Sequence, residues 1–140
     1  MNKQKIIKKK NKKTLPIKKK PKYKNKKAQV DGILFDSKAE ARYYILHRNN
    51  KNMKMQVKFT LTDTMYFEHN GKKKTIKKMS YIPDFVFYDS DGNIEKVVDV
   101  KGMKTKEFNV KAKIFMEKYQ IPIILAKYDS RTGLFIEEIA

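Results

Sequence analysis

Residues 81–102, YIPDFVFYDSDGNIEKVVDVKG, constrain the fold of this chain more than any other stretch. Two apolar runs flank Asp91-Gly92, a strong hairpin signal, because Gly accepts positive φ and Asp tolerates it. A chain built this way is committed to a sheet. Yet Asp84, Asp99 and Lys101 interrupt runs otherwise made of Ile, Phe, Tyr and Val. A half-buried carboxylate is unfavourable unless it is paired, hydrogen-bonded or holds a metal. If Asp91 and Gly92 form the whole loop, the register sets Asp84 directly opposite Asp99.

Facing residues of an antiparallel pair have Cβ atoms about 5 Å apart. Lys101 follows Asp99 by two residues, so it shares that face, roughly 7 Å along. Two facing carboxylates repel each other. A divalent cation turns the repulsion into attraction. Mg²⁺ suits hard oxygen ligands and is held by one or two carboxylates with water and substrate phosphate. Lys101 can then orient a water or stabilise charge developing on a phosphate. A plain ion pair of one aspartate with Lys101 is the structural alternative, and a bulge would shift the register by one residue.

The flanking segments extend the sheet and cover it. Ser37 with Glu40 three residues on matches a capping box, which predicts a helix from about Ser37 to Arg48. His47 then lies at its end, and Tyr43 and Tyr44 belong to the core and its edge. Alternating residues predict strands near 53–60 and 64–68, with a turn at Asn70-Gly71. Gln56 is read as a polar residue of the first of these strands. His69 is read as a loop residue. Phe108, Ala112, Phe115 and Tyr119 form one stripe of a second helix over about 105–119. Lys111 lies beside that stripe, where it can approach a phosphate or remain a solvated flank. IPIILAKY predicts a strand covered on both faces, and LFIEEI a last strand after a turn at 129–133. The expected class is α/β (α+β): a mixed central sheet flanked by helices.

Charge divides the chain in two. It has 140 residues, with 34 Lys plus Arg against 15 Asp plus Glu. Residues 1–27 hold 14 of the lysines and no acid. Such a block repels itself and lacks the apolar residues to offset chain entropy, so residues 1–27 are expected to be a disordered arm and 28–140 the folded domain. Lys8, Lys9, Lys10, Lys12, Lys13, Lys18, Lys19 and Lys20 are its densest part. Its expected partner is a polyanion, with a merely solubilising tail as the alternative. There is no cysteine, which excludes disulfides and thiolate metal sites. No apolar run reaches the ~18 residues that span a bilayer, and the basic start is not followed by an apolar signal segment. An intracellular protein with no membrane partner is expected.

Pro83-Asp84 followed by Asp99-Val100-Lys101 resembles the PD-(D/E)XK nuclease superfamily. FDSKAEARYY, YIPDF and DVKG together are similar to a group of small phage-encoded nucleases of that superfamily, itself similar to Holliday-junction resolvases. The resemblance covers roughly residues 33–128. It implies a restriction-endonuclease-like core (α-β-β-β-α-β) and a Mg²⁺-dependent endonuclease acting on DNA, with Mn²⁺ able to substitute. It implies that Asp84 and Asp99 bind the metal, that the Val100 backbone carbonyl completes its coordination, and that Glu40 reaches it through a water. Lys101 is the implied catalytic lysine, and Gln56 and Lys111 are possible additional site residues. The implied partner is branched or duplex DNA, the implied assembly a homodimer, and the implied location the cytoplasm of a bacterial host.

Two other readings stand beside this one. The first is a non-catalytic nucleic-acid-binding protein on the same fold, which charge and aromatic content suit equally. The second is a restriction- or transposition-type nuclease that recognises a sequence; the short body shows no evident added recognition module. For the arm, each phosphate neutralised steepens the salt dependence of binding. Deleting residues 1–27 is therefore expected to flatten the slope of log affinity for duplex DNA against log salt in a fluorescence-anisotropy titration. An unchanged slope would mean that the arm is not a DNA contact.

Overall fold

In the computed structural model, which describes residues 26–140, Asp31 and Gly32 close the first hairpin. Both have positive φ, 50° and 75°, the pattern of a two-residue loop. They join β1 (Ala28–Val30) to β2 (Ile33–Phe35). Helix α1 (Lys38–His47) follows, and the Ser37 hydroxyl accepts the Glu40 amide at 3.1 Å as its N-cap. The Glu40 carboxylate turns back to accept the Ser37 hydroxyl at 3.0 Å, so the expected capping pair forms side chain to side chain.

The strand expected over 53–60 is broken. β3 (Met53–Met55) and β4 (Phe59–Thr62) are separate, and Gln56 sits between them at φ 56°. A left-handed residue cannot continue an extended strand, so Gln56 is a corner residue, not a strand residue. Asn70 and Gly71 form the expected turn, at φ 49° and 73°. They join β5 (Met65–His69) to β6 (Lys72–Ile76), which places His69 at a strand end. Then come β7 (Met79–Tyr81), β8 (Phe85–Tyr88), β9 (Ile94–Val100), α2 (Lys106–Tyr119), β10 (Ile123–Asp129) and β11 (Leu134–Ile139).

The main sheet has five strands in the order β11-β10-β9-β8-β3, with β9 and β10 parallel and the other pairs antiparallel. The described residues thus form a mixed α and β protein with a mixed central sheet and two helices. Side-chain alternation along β8, β9 and β10 gives the sheet two apolar faces. Phe85, Phe87, Val98, Val100 and Ala126 pack with Ala41 and Tyr43 of α1. Val86, Val97, Ile123 and Leu125 pack with Phe108, Ala112 and Phe115 of α2. β4 and β7 pair with each other and lie on the α2 side, where the Phe59 and Tyr81 rings are 5.1 and 5.4 Å from Phe115.

The β8–β9 loop differs from the expected one in a way that cancels. Gly92 donates to the Asp89 carbonyl at 3.2 Å, and Asp89 donates to the Asn93 carbonyl at 2.9 Å. The loop therefore has three residues, 90–92, with Gly92 at φ 83° and the Asp89 carboxylate accepting from the Asp91 and Asn93 amides. The extra loop residue shifts the pairing to Tyr88 opposite Ile94. A bulge at Glu95 shifts it back, so that Phe87 faces Lys96 and Phe85 faces Val98. Beside the aspartates the register is the one that a two-residue loop gives.

Phe115 is fully buried between α2, β4 and β7. Replacing it with Ala is expected to destabilise the fold by about 3–5 kcal/mol in urea denaturation, whereas Phe67→Ala, at an exposed position, stays within about 0.5 kcal/mol. Equal effects from the two would contradict this packing.

Candidate active site

The end of the β8–β9 pair gathers the chemistry. Asp99 is the last α2-facing residue of β9, 2% exposed, and it is the buried charged residue among those described. Asp84 precedes β8 by one residue and lies on the same face by alternation. Its Oδ2 accepts the Val100 amide at 2.8 Å. The two carboxyl groups are near enough that the charge of Asp99 acts strongly on Asp84. Burial, the nearby Asp99 charge and a hydrogen bond to Asp99 all push the Asp84 pKa well above the usual carboxylate range, against the Val100 amide, which lowers it. Lys101, just past the strand end, brings Nζ to 3.4 Å from Asp99 Oδ1 and 4.7 Å from the Phe108 ring centroid. The sheet register thus assembles the expected trio of Asp84, Asp99 and Lys101.

Glu40 approaches from the first turn of α1. Burial is the main influence raising its pKa; the Asp99 charge adds to this and Lys101 opposes it. Its field also acts on Asp84. Its carboxylate hydrogen-bonds Ser37, so it stands at the margin of the cluster. Lys111 sits one helical turn after Glu107 and pairs with it at 3.2 Å. Both border a cleft of about 310 Å³ that Asp99, Lys101, Tyr81 and Phe108 also line. Gln56 makes no side-chain hydrogen bond to this cluster and does not line the cleft. The lysines expected to form the arm's dense part, Lys8 to Lys20, lie outside the described residues.

Tyr81 completes the site, a position that its sequence pattern alone does not reveal. It lies on β7, buried, and its hydroxyl donates to Asp99 Oδ2. Burial and the Asp99 charge hold the phenol protonated. Asp99 therefore has one oxygen on Tyr81 and the other on Lys101. The available signal was its place in YIPDF: a hydroxyl-bearing side chain three residues before the aspartate, in an otherwise apolar run.

Pro83 also has a local effect. Continuing the β8–β9 register sets Pro83 opposite Val100. Pro has no N–H, so the ladder offers the Val100 carbonyl no donor there. The oxygen donors available at this point are thus two carboxylates and one backbone carbonyl. Among the described residues, no three His, Cys, Asp or Glu side chains gather to chelate an ion by themselves. The set suits Mg²⁺, which accepts one or two carboxylates and completes its shell with water and phosphate oxygens.

The chain belongs to a family of proteins of unknown function, DUF1064, whose model matches residues 20–128. That span includes Glu40, Tyr81, Asp84, Asp99, Lys101 and Lys111. No curated protein and no solved structure matches the chain significantly. No helix among the described residues is long and apolar enough to cross a membrane.

The crowded carboxyl pair has a pH signature. An unfolded Asp loses its proton near pH 3.9, while folded Asp84 keeps it to higher pH. The folded state then binds more protons, so stability falls as pH rises from about 4 through the folded pKa. In EDTA, the parent should lose thermal stability over that window relative to Asp84→Asn, which cannot titrate there. Parallel melting-temperature curves for the two proteins would rule out the raised pKa of Asp84.

Proposed function

We propose that this protein is a metal-dependent endonuclease that hydrolyses phosphodiester bonds of DNA, selective for branched substrates and related to the PD-(D/E)XK nucleases. The observation that carries the reading is the pair of neighbouring carboxylates, buried Asp99 and half-buried Asp84, with Lys101 on Asp99 and an open cleft beside them. A purely structural ion pair needs one acid. The second acid adds repulsion inside a low-dielectric wall and favours a cation.

Asp84, Asp99 and the Val100 carbonyl are the groups to hold Mg²⁺, with Glu40 joining through a water and Mn²⁺ able to replace it. Bound there, the ion supplies Lewis-acid neutralisation of the scissile phosphate and lowers the pKa of a water. The chain's own residues do the rest. Tyr81 fixes the rotation of Asp99 by holding Oδ2. Phe108 supports the Lys101 ammonium from one side, which aims its remaining donors into the cleft. Lys101 stabilises charge that develops on the phosphate oxygens as water attacks phosphorus and the P–O ester bond breaks. Lys111, ion-paired with Glu107, and the N-terminus of α2, capped by Thr105, line the cleft where the flanking phosphate would lie. A homodimer belongs to the same proposal, since symmetric cutting of two strands requires two sites related by a two-fold axis.

Asp99→Ala and Lys101→Ala are each expected to lower cleavage of supercoiled plasmid and of a synthetic four-way junction in Mg²⁺ by about 10²-fold or more. DNA binding should stay within a few-fold, and EDTA should stop the parent. Equal cleavage by parent and variants would remove the catalytic assignment; binding without any cleavage would leave a nucleic-acid-binding protein on this fold.

A further inference from the structure

The body shows no added recognition module in its sequence, but the structure contains an element that serves no core. From Met65 to Lys78, every residue is exposed. β5 and β6 form a separate two-stranded sheet between β4 and β7. Five facing pairs at about 3.4 Å per residue make a ribbon roughly 14 Å long. An isolated hairpin is at best marginally stable in water. This one nevertheless exposes Tyr66 at 77% and Phe67 at 58%, together with Met65 and Ile76. Large exposed apolar side chains gathered in one place mark an interaction surface.

Its charge indicates the partner. Residues 65–78 carry Lys72, Lys73, Lys74, Lys77 and Lys78 against the single acid Glu68, which faces Lys73 across the ladder. Aromatics among lysines suit nucleic acid: the lysines meet phosphates, and the rings stack on bases that are not already stacked in a duplex. The strand alternation puts Tyr66 on one face with Thr75 and Phe67 on the other with Lys74. A ribbon with one aromatic on each face can engage bases on both sides at once, as a wedge does.

Its base is fastened by hydrogen bonds and adjoins the cleft. The Lys78 amide donates to the Thr64 hydroxyl at 3.3 Å and the Met79 amide to the Thr62 hydroxyl at 3.0 Å, in place of regular ladder bonds. Below this collar, the Thr60 carbonyl accepts the Tyr119 hydroxyl at 2.7 Å and Lys118 Nζ at 3.1 Å, which fastens β4 to α2. The returning strand β7 runs from the ribbon straight into Ser80, Tyr81 and Ile82, which line the cleft. DNA held by the ribbon is therefore held at a fixed offset from Asp99.

We infer that the β5–β6 ribbon is a DNA-binding wedge whose Tyr66 and Phe67 stack on unpaired bases at a branch point while Lys72, Lys73 and Lys74 contact the phosphates. The inference rests on the nuclease reading for the identity of its partner and supplies that site with its selectivity for branched DNA. The residues are exposed, so their replacement leaves the core intact, and circular dichroism melting checks this.

The test uses the full chain with three fluorescein-labelled probes of matched sequence: a four-way junction, a fork with unpaired arms and a linear duplex. Anisotropy titrations are done in EDTA, and 2-aminopurine at the branch point reports stacking. The Tyr66→Ala/Phe67→Ala double variant is expected to lose about tenfold or more in affinity for fork and junction, to change less than about twofold on duplex, and to lose the 2-aminopurine quench. The Lys72→Ala/Lys73→Ala/Lys74→Ala variant should weaken binding to all three probes and reduce the salt slope by about 2–3. Unchanged branch preference and quench in the aromatic variant overturn the wedge, even if Mg²⁺-dependent cleavage by the parent stands. Lost preference in a protein that cuts no DNA in Mg²⁺ overturns the nuclease reading and leaves the wedge in place.

Discussion

Half-buried Asp84 and buried Asp99 meet at the end of the central strand pair, and the surrounding structure answers that contact. Two carboxylates sharing one site resist ionising together without a compensating positive charge. The chain supplies partial compensation: the Val100 amide to Asp84, the Tyr81 hydroxyl and the Lys101 ammonium to Asp99. Only one of these three donors carries a full charge. The site is left one positive charge short, to be made up by a proton on Asp84 or by an external cation. The Val100 carbonyl, which Pro83 deprives of a ladder donor, lies at the same point of the ladder. A structural ion pair needs none of this; an ion-binding site under the proposed reading uses each part.

The fold holds this contact by dividing labour between the faces of β9. The α1 face is scaffold, packed by Val98, Val100, Phe85 and Tyr43. The α2 face carries Val97 as wall, then Asp99, then Lys101 beyond the strand end. Register decides which face each residue takes, and a slip of one residue would turn a paired side chain to the wrong side. The Glu95 bulge therefore matters well beyond the hairpin tip. It removes the one-residue offset that the three-residue loop introduces, and Asp84 regains its place beside Asp99.

What the sequence revealed followed from local rules. Ser37 and Thr105 cap the two helices as side-chain chemistry dictates, and the helices lie within a residue of their expected limits. Asn70-Gly71 turns where expected, and the aspartates converge. What it hid depended on partners distant in sequence. Gln56 falls in an alternating run, yet its left-handed backbone ends the strand, because β3 must join β8 of the main sheet while β4 leaves to pair with β7. Tyr81 looked like one more apolar strand residue, since nothing local shows that its hydroxyl meets a carboxylate eighteen positions on. The ribbon escaped because alternation marks a strand and is silent on whether either face is covered.

The distribution of charge follows from the same constraint. Under the proposed reading an acidic pair at the cation site repels phosphate, so attraction must come from elsewhere on the surface. Close in, Lys101 and Lys111 stand beside Asp99 in the cleft. Further out, the lysines of residues 72–78 follow the ribbon away from it. Lysine contacts of this second kind act over about a Debye length, roughly 8–10 Å at physiological salt, and carry little sequence information. Affinity and chemistry are then supplied by separate parts of the chain under the proposed reading. On that reading, a centre that must stay acidic to hold a cation can work on a polyanion only if its surroundings are basic, and the lysines of the cleft and ribbon supply such surroundings.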